Sequence, residues 1–117
     1  MFEYKAKVLK VVDGDTLDLS VDLGFGVFKE DRFRLNRINT PEVRGSDSAR
    51  GKQASRRVEA LAPVGSTVKI RTIKDSQEKY GRYLAEVFIE QPGFHDMNLN
   101  DTLVAEGLAT FYSGGKR

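Results

Sequence analysis

The sequence predicts an α+β fold dominated by strands: a five-stranded, partly open Greek-key barrel, with one helix after the third strand and a short helix near the C-terminus. Three observations carry that expectation. Apolar and polar residues alternate with a period of two in separate stretches along the chain. Apolar residues recur at helical spacing after the third such stretch and again near the C-terminus. Glycine, proline and aspartate punctuate the boundaries between these stretches.

The elements follow in order. In Phe2 to Val12, Phe2, Tyr4, Ala6 and Val8 alternate with Glu3, Lys5 and Lys7, which reads as a first strand. Asp13-Gly14 is a tight-turn signal, and Thr16 to Leu23 resumes strict alternation, so the two form a hairpin. Gly24 and Gly26 flank Phe25 in a second turn. A third strand runs from Val27 to Ile38 and ends at Thr40-Pro41, because proline cannot donate into a ladder. Asp47 or Ser48 caps a helix that reaches about Leu61, where Pro63 and Gly65 stop it. Its core face carries Ala54, Val58 and Leu61, and Arg50, Lys52, Arg56 and Arg57 occupy the rest. Thr67 to Ile73 is a fourth strand, Lys74 to Tyr80 a charged loop, and Arg82 to Ile89 a fifth strand. Gln91-Pro92-Gly93 turns the chain into a short helix marked by Leu99, Leu103 and Val104, with Asn98 or Asn100 at its cap and Gly107 at its end. Phe111 and Tyr112 are expected in a final packed segment, and 113–117 in a frayed tail. Five strands with a helix after the third match the oligonucleotide-binding barrel architecture.

The 117 residues suit one domain spanning 1–117, with a single hydrophobic core. No cysteine is present, which excludes disulfides, thiolate metal sites and a cysteine nucleophile. The N-terminal residues lack the apolar core of a signal peptide, and no stretch is long enough to span a membrane, so a cytoplasmic location is expected. Nineteen Lys plus Arg against seventeen Asp plus Glu leave a net charge of +2, which barely favours nucleic acid by itself. The one histidine, His95, reads as an exposed turn residue without a role. A histidine pair or a multi-histidine zinc site is therefore excluded, and any hydrolysis must use carboxylates, arginines and a metal held by oxygen.

Three segments carry chemistry. Asp13-Gly14-Asp15-Thr16 is a hairpin turn on its face, but two carboxylates two residues apart also suit a hard cation. In Arg34-Leu35-Asn36-Arg37-Ile38-Asn39-Thr40-Pro41-Glu42, Arg34 reads as a strand-edge arginine. Glu42 reads either as a solvated loop residue or as a carboxylate aimed by the preceding proline. In Lys79-Tyr80-Gly81-Arg82, Gly81 permits a tight turn, and Arg82 is either surface charge or a fork for phosphate oxygens.

Taken together with Asn100, Leu103-Val104 and Gly107-Leu108-Ala109, these segments resemble the staphylococcal nuclease (thermonuclease) family, from about Tyr4 to Tyr112. The resemblance implies a five-stranded oligonucleotide-binding barrel. It also implies a calcium-dependent endonuclease that cuts DNA and RNA and leaves 3′-phosphates. By resemblance Asp15 is a direct metal ligand, and Thr40 offers its backbone carbonyl to the same ion. Glu42 is the general base, and Arg34 and Arg82 grip the phosphate. Lys79, Tyr80 and Tyr112 line the nucleotide pocket. The residue types fit the chemistry: a glutamate can activate water, and two arginines with a divalent cation can offset charge on the phosphoryl group.

One position departs from the family pattern. Asn39 stands where an aspartate ligand usually precedes the Thr-Pro-Glu. Its amide oxygen can still meet calcium, but without the charge, which leaves other divalent cations open. The expected partner is DNA or RNA, single-stranded or frayed, bound by a monomer with no membrane role. The alternative is a non-catalytic single-strand-binding module with a weakened metal site, using Tyr80, Tyr83 and Tyr112 as stacking residues. A protein-interaction barrel without nucleic acid is a third reading, and the arginine pair argues against it.

Overall fold

Alternation of apolar and polar side chains builds the barrel wall strand by strand. The computed structural model describes residues 2–42, 48–77 and 83–111. The strands are β1 (Phe2–Asp13), β2 (Thr16–Asp22), β3 (Phe28–Leu35), β4 (Ile38–Asn39), β5 (Thr67–Gln77), β6 (Tyr83–Ile89), β7 (Met97–Asn98) and β8 (Thr110–Phe111). The helices are α1 (Ser48–Leu61), after β4, and α2 (Leu99–Ala105), after β7.

The main sheet runs β3-β2-β1-β5-β6-β7. It closes on itself where β3 meets β6 in parallel, with Phe33 opposite Tyr83 and Leu35 opposite Ala85. The result is the expected five-walled barrel of β1, β2, β3, β5 and β6. Two register shifts in the β1–β2 ladder, between Val8 and Lys10 and between Val11 and Asp13, bend the hairpin so that it can curl. Inward-facing Val8, Leu17, Leu19, Leu35, Ile70 and Val87 are buried in the core. Ala54 and Val58 of α1 and Leu99 and Leu103 of α2 are buried as well. Among the described residues no helix is long and apolar enough to cross a membrane.

Other expectations resolve locally. Asn98 is the cap of α2: its side chain accepts from the Asp101 N–H at 3.0 Å. Asn100 is instead wholly buried, accepting from Val87 N and donating to the Asn36 and Ala85 carbonyls. It thereby ties α2 to β6 and to the turn that follows β3. Asp18 lies outside the barrel and pairs with Arg32 at 2.8 Å.

The third strand is shorter than expected. It stops at Leu35, the chain turns at Asn36 and Arg37, and Ile38–Asn39 form a separate short strand paired with β8. Arg37 holds a left-handed backbone (φ 70°) that no glycine announces. The cause lies elsewhere in the chain. Glu86 of β6 accepts hydrogen bonds from Asn36 Nδ2 and from Arg37 Nε and Nη2, so both turn residues are drawn to one carboxylate. The fifth element of the sequence reading also shifts: β5 continues to Gln77, which pairs with Tyr83 across an irregularity, because ladder bonds come from the backbone and tolerate polar side chains. Phe111 is not packed. It is 63% exposed at the β4–β8 edge, with the Arg37 guanidinium 5.8 Å over its ring. Tyr112 lies outside the described residues.

Candidate active site

The site begins at the turn between β1 and β2. Gly14 lets that turn sit against α1, since a Cβ there would lie 2.8 Å from Ala54 Cβ and 2.9 Å from Thr40 Oγ1. The following residue, Asp15, is thereby buried, with 4% of its surface exposed. Its two carboxylate oxygens find local donors: Thr16 Oγ1 at 3.1 Å to Oδ1, and the Thr40 N–H at 3.2 Å to Oδ2. Its own N–H donates to Asp13 Oδ1 at 3.2 Å, and its carbonyl accepts from Leu35 N at 2.8 Å.

The antiparallel β2–β3 register places Arg34 opposite Thr16, one residue from Asp15. Arg34 is only 2% exposed. A buried guanidinium must be paired and hydrogen-bonded. Here Nη1 donates to the Leu35 carbonyl at 3.1 Å, Nη2 donates to Asn39 Oδ1, and Nη2 lies 3.7 Å from Asp15 Oδ2. Arg34 is thus no surface arginine. After the turn at 36–37 the chain folds back so that Asn39 of β4 joins the Leu35 carbonyl and Asp15 as its acceptors.

Electrostatics divide the two aspartates. Burial pushes the Asp13 carboxyl up to about 6, and its hydrogen bond and charge repulsion with Asp15 add to that. Burial also acts upward on Asp15, but hydrogen bonds from Asp13, Thr40 and Thr16 and the Arg34 charge outweigh it, so its pKa is lowered. Asp15 is therefore the fixed anion of the pair, and Asp13 is the one that takes up a proton first as the pH falls below neutrality.

The donor chemistry bears on a metal. Asp13, Asp15, Asn39 and the Thr40 backbone offer only oxygen, which suits a hard cation such as calcium. The raised Asp13 carboxyl beside the Asp15 anion also marks a place where a cation is welcome. The set is lean: among the described residues no group of three or more His, Cys, Asp or Glu could hold an ion. Asn39 also spends its oxygen on Arg34. The residues fit a divalent ion, but one that takes further ligands from water or from a bound phosphate.

Asp15, Arg34, Asn39 and Thr40 are therefore brought into one contact group. Glu42 is exposed, two residues beyond Thr40, on the stretch that leads toward α1. Lys79, Tyr80, Arg82 and Tyr112 lie outside the described residues. Sequence reasoning passed over two contributors. One is Gly51 of α1, whose backbone meets that of Glu42; a glycine inside a helical pattern was the available signal. The other is Glu86, which shapes the turn ahead of Asn39 and has no local signal, its partners Asn36 and Arg37 being 50 and 49 residues away. On the outer face of α1, Arg57 forks onto Glu106 at 2.7 and 2.8 Å and joins α1 to the end of α2.

The chain is similar to several known proteins. Protein ParB of Escherichia coli is 29% identical over 118 residues, covering 94% of this chain and 58% of that protein. Endonuclease YncB of Bacillus subtilis (strain 168) is 30% identical over 103 residues, covering 86% of this chain and 44% of that protein. Endonuclease YhcR of the same organism is 28% identical over 118 residues, which is 94% of this chain and 9% of that protein. The chain thus spans less than two thirds of the length of each of these relatives. The profile described as "Staphylococcal nuclease homologue" matches residues 32–117, most of the chain, and the chain belongs to that family.

Proposed function

We propose that this chain is a metal-dependent endonuclease that hydrolyses phosphodiester bonds of DNA, RNA or both, with calcium as its ion and 3′-phosphates as its products. The observation that carries this reading is the buried Asp15–Arg34 pair, framed by Thr40 and Asn39 and followed by the exposed Glu42. Two relatives that bear the name endonuclease support it.

The residues have separable tasks. Glu42 takes a proton from the attacking water. The water oxygen bonds to phosphorus as the P–O5′ bond breaks; the 5′-oxygen leaves and takes a proton from solvent water, while phosphate stays on the 3′ side. Arg34 offsets charge on the phosphoryl oxygens, and for that its Nη2 must exchange Asn39 Oδ1 for a phosphate oxygen. By resemblance Arg82 grips the same group, and Lys79, Tyr80 and Tyr112 line the nucleotide pocket. Asp15, the Thr40 carbonyl and Asn39, with Asp13 alongside, would hold a divalent ion, which when bound would neutralise further phosphate charge. The substrate is a single strand or frayed duplex, and the acting species is a monomer.

The test is digestion of heat-denatured DNA with calcium or with a chelator, beside a Glu42→Ala control, followed by end-group analysis. Calcium-dependent degradation that yields 3′-phosphates and disappears in the control supports the nuclease. A second reading has one observation in its favour: Asn39 brings no charge to the site, and its oxygen is turned to Arg34. In that reading the chain binds single strands without cutting them. Oligonucleotide binding at saturating metal with no turnover, and turnover appearing only in Asn39→Asp, would select it.

A further inference from the structure

We infer that Gly51 is a positioning residue for Glu42: helix α1 is bare at this point so that its backbone can bear directly on the segment carrying the general base. The inference rests on the nuclease reading above, because it gives Glu42's place a chemical meaning.

Gly51 is buried within α1. A Cβ on it would stand 2.2 Å from the Glu42 carbonyl oxygen, 2.4 Å from the Glu42 carbonyl carbon and 2.7 Å from the Pro41 oxygen. All three are backbone atoms, so no side-chain rotation relieves the contact. Gly51 is not among the residues with positive φ, and its helical backbone accepts alanine without strain. Alanine is the best helix former and glycine among the poorest. Only the approach of Pro41 and Glu42 therefore calls for glycine here.

One side of this contact must yield when a methyl group is added, and the structure says which. Helix α1 is fixed by Ala54 and Val58, both fully buried, and by the fork of Arg57 onto Glu106. Pro41 and Glu42 belong to neither a strand nor a helix. Upstream they are held through Thr40, whose N–H donates to Asp15. The helix stays and the Glu42 backbone moves. To reach even the 3.0 Å lower limit of real Cβ contacts, it must move by about 0.8 Å. A displacement near 1 Å of a reacting group costs on the order of 10²-fold in rate. Asp15 is held by Thr16 and the Thr40 N–H and does not itself meet the added methyl group, so the displacement falls first on Glu42.

The test is steady-state cleavage of single-stranded DNA with calcium by wild type, Gly51→Ala, Glu42→Ala and the double variant, with Gln53→Ala as a helix-surface control. Folding is followed by circular dichroism. Gly51→Ala is expected to fold, to lose on the order of 10²-fold in kcat and to keep KM within a factor of about two. In the Glu42→Ala background the same change is expected to cost nothing further, because there is no base left to misplace. A general structural defect would multiply in both backgrounds. The inference is overturned if Gly51→Ala retains wild-type kcat, if its loss is undiminished on top of Glu42→Ala, or if it fails to fold, since the helix and not the loop would then have yielded. Absence of cleavage by wild type refutes the nuclease reading itself, and is read in a different arm from these results.

Discussion

Removing the Glu86 carboxylate should loosen the turn that carries the candidate site. Glu86 is 8% exposed and accepts from Arg37 Nη2 at 2.6 Å, Arg37 Nε at 2.9 Å, Asn36 Nδ2 at 3.0 Å and Asn98 Nδ2 at 3.2 Å. It therefore joins β6, the 36–37 turn and the cap of α2. Deleting one partner of a buried charged pair typically costs about 3–5 kcal/mol. The Arg37 side chain is 41% exposed and also pairs with Asp101, so it can turn to water, and the figure is lowered to about 2–3 kcal/mol for Glu86→Ala. For a domain of this size that corresponds to a fall in Tm of roughly 8–12 °C. The pH dependence has a defined sign. Burial acts upward on Glu86, but the hydrogen bonds from Arg37, Asn98 and Asn36 win, and its pKa lies below the ordinary 4.5. A carboxylate with a lowered folded pKa stabilises the fold above its unfolded pKa and loses that contribution as pH falls through the folded value. The gap in stability between wild type and Glu86→Gln should be widest near neutrality, begin to narrow as pH falls through the ordinary 4.5, and close once pH lies below the lowered folded value. Urea denaturation from pH 3 to 7 measures both quantities. A loss below about 0.5 kcal/mol at pH 7, or a gap that widens toward acid, would refute the reasoning.

Three further outcomes follow from the same geometry. Asn39→Asp adds a carboxylate beside Asp15 and should tighten calcium binding by about tenfold or more, read by isothermal titration; unchanged affinity would remove Asn39 from the ligand set. Gly14→Ala brings a methyl group against Ala54 and Thr40, and should cost about 1–3 kcal/mol in denaturant unfolding while weakening metal binding, whereas wild-type values for both would show that the turn has room. Arg57→Ala removes an exposed ion pair and should change stability by less than about 1 kcal/mol, and a larger loss would mean that α1 depends on this fork more than on its buried face.

The barrel was legible in the sequence because alternation reports which side chains a strand turns inward. Apolar residues four apart made the two helices readable, through Ala54 and Val58 in one and Leu99 and Leu103 in the other. The end of the third strand was not legible. Asn36-Arg37 carries no glycine or proline, and the bend is held by Glu86, which is remote in sequence. Arg34 was placed correctly in its strand but read as an edge residue, since alternation says that it leaves the barrel interior and not that β4 folds back to cover it. Phe111 failed for the opposite reason: an aromatic residue suggests packing, but here it sits at a short edge beneath Arg37. Asp15, Asn39 and Thr40 were found by motif, whereas the reason they meet is Gly14, whose missing side chain admits Ala54 and Thr40.

The most direct test of the nuclease account is the single-turnover cleavage rate of a fluorophore- and quencher-labelled single-stranded oligonucleotide, titrated with calcium. The account predicts a rate that saturates with calcium, vanishes with chelator and falls by at least about 10²-fold in Glu42→Ala, the range expected when a general base is removed. A rate indifferent to calcium, or equal in wild type and Glu42→Ala, would contradict it.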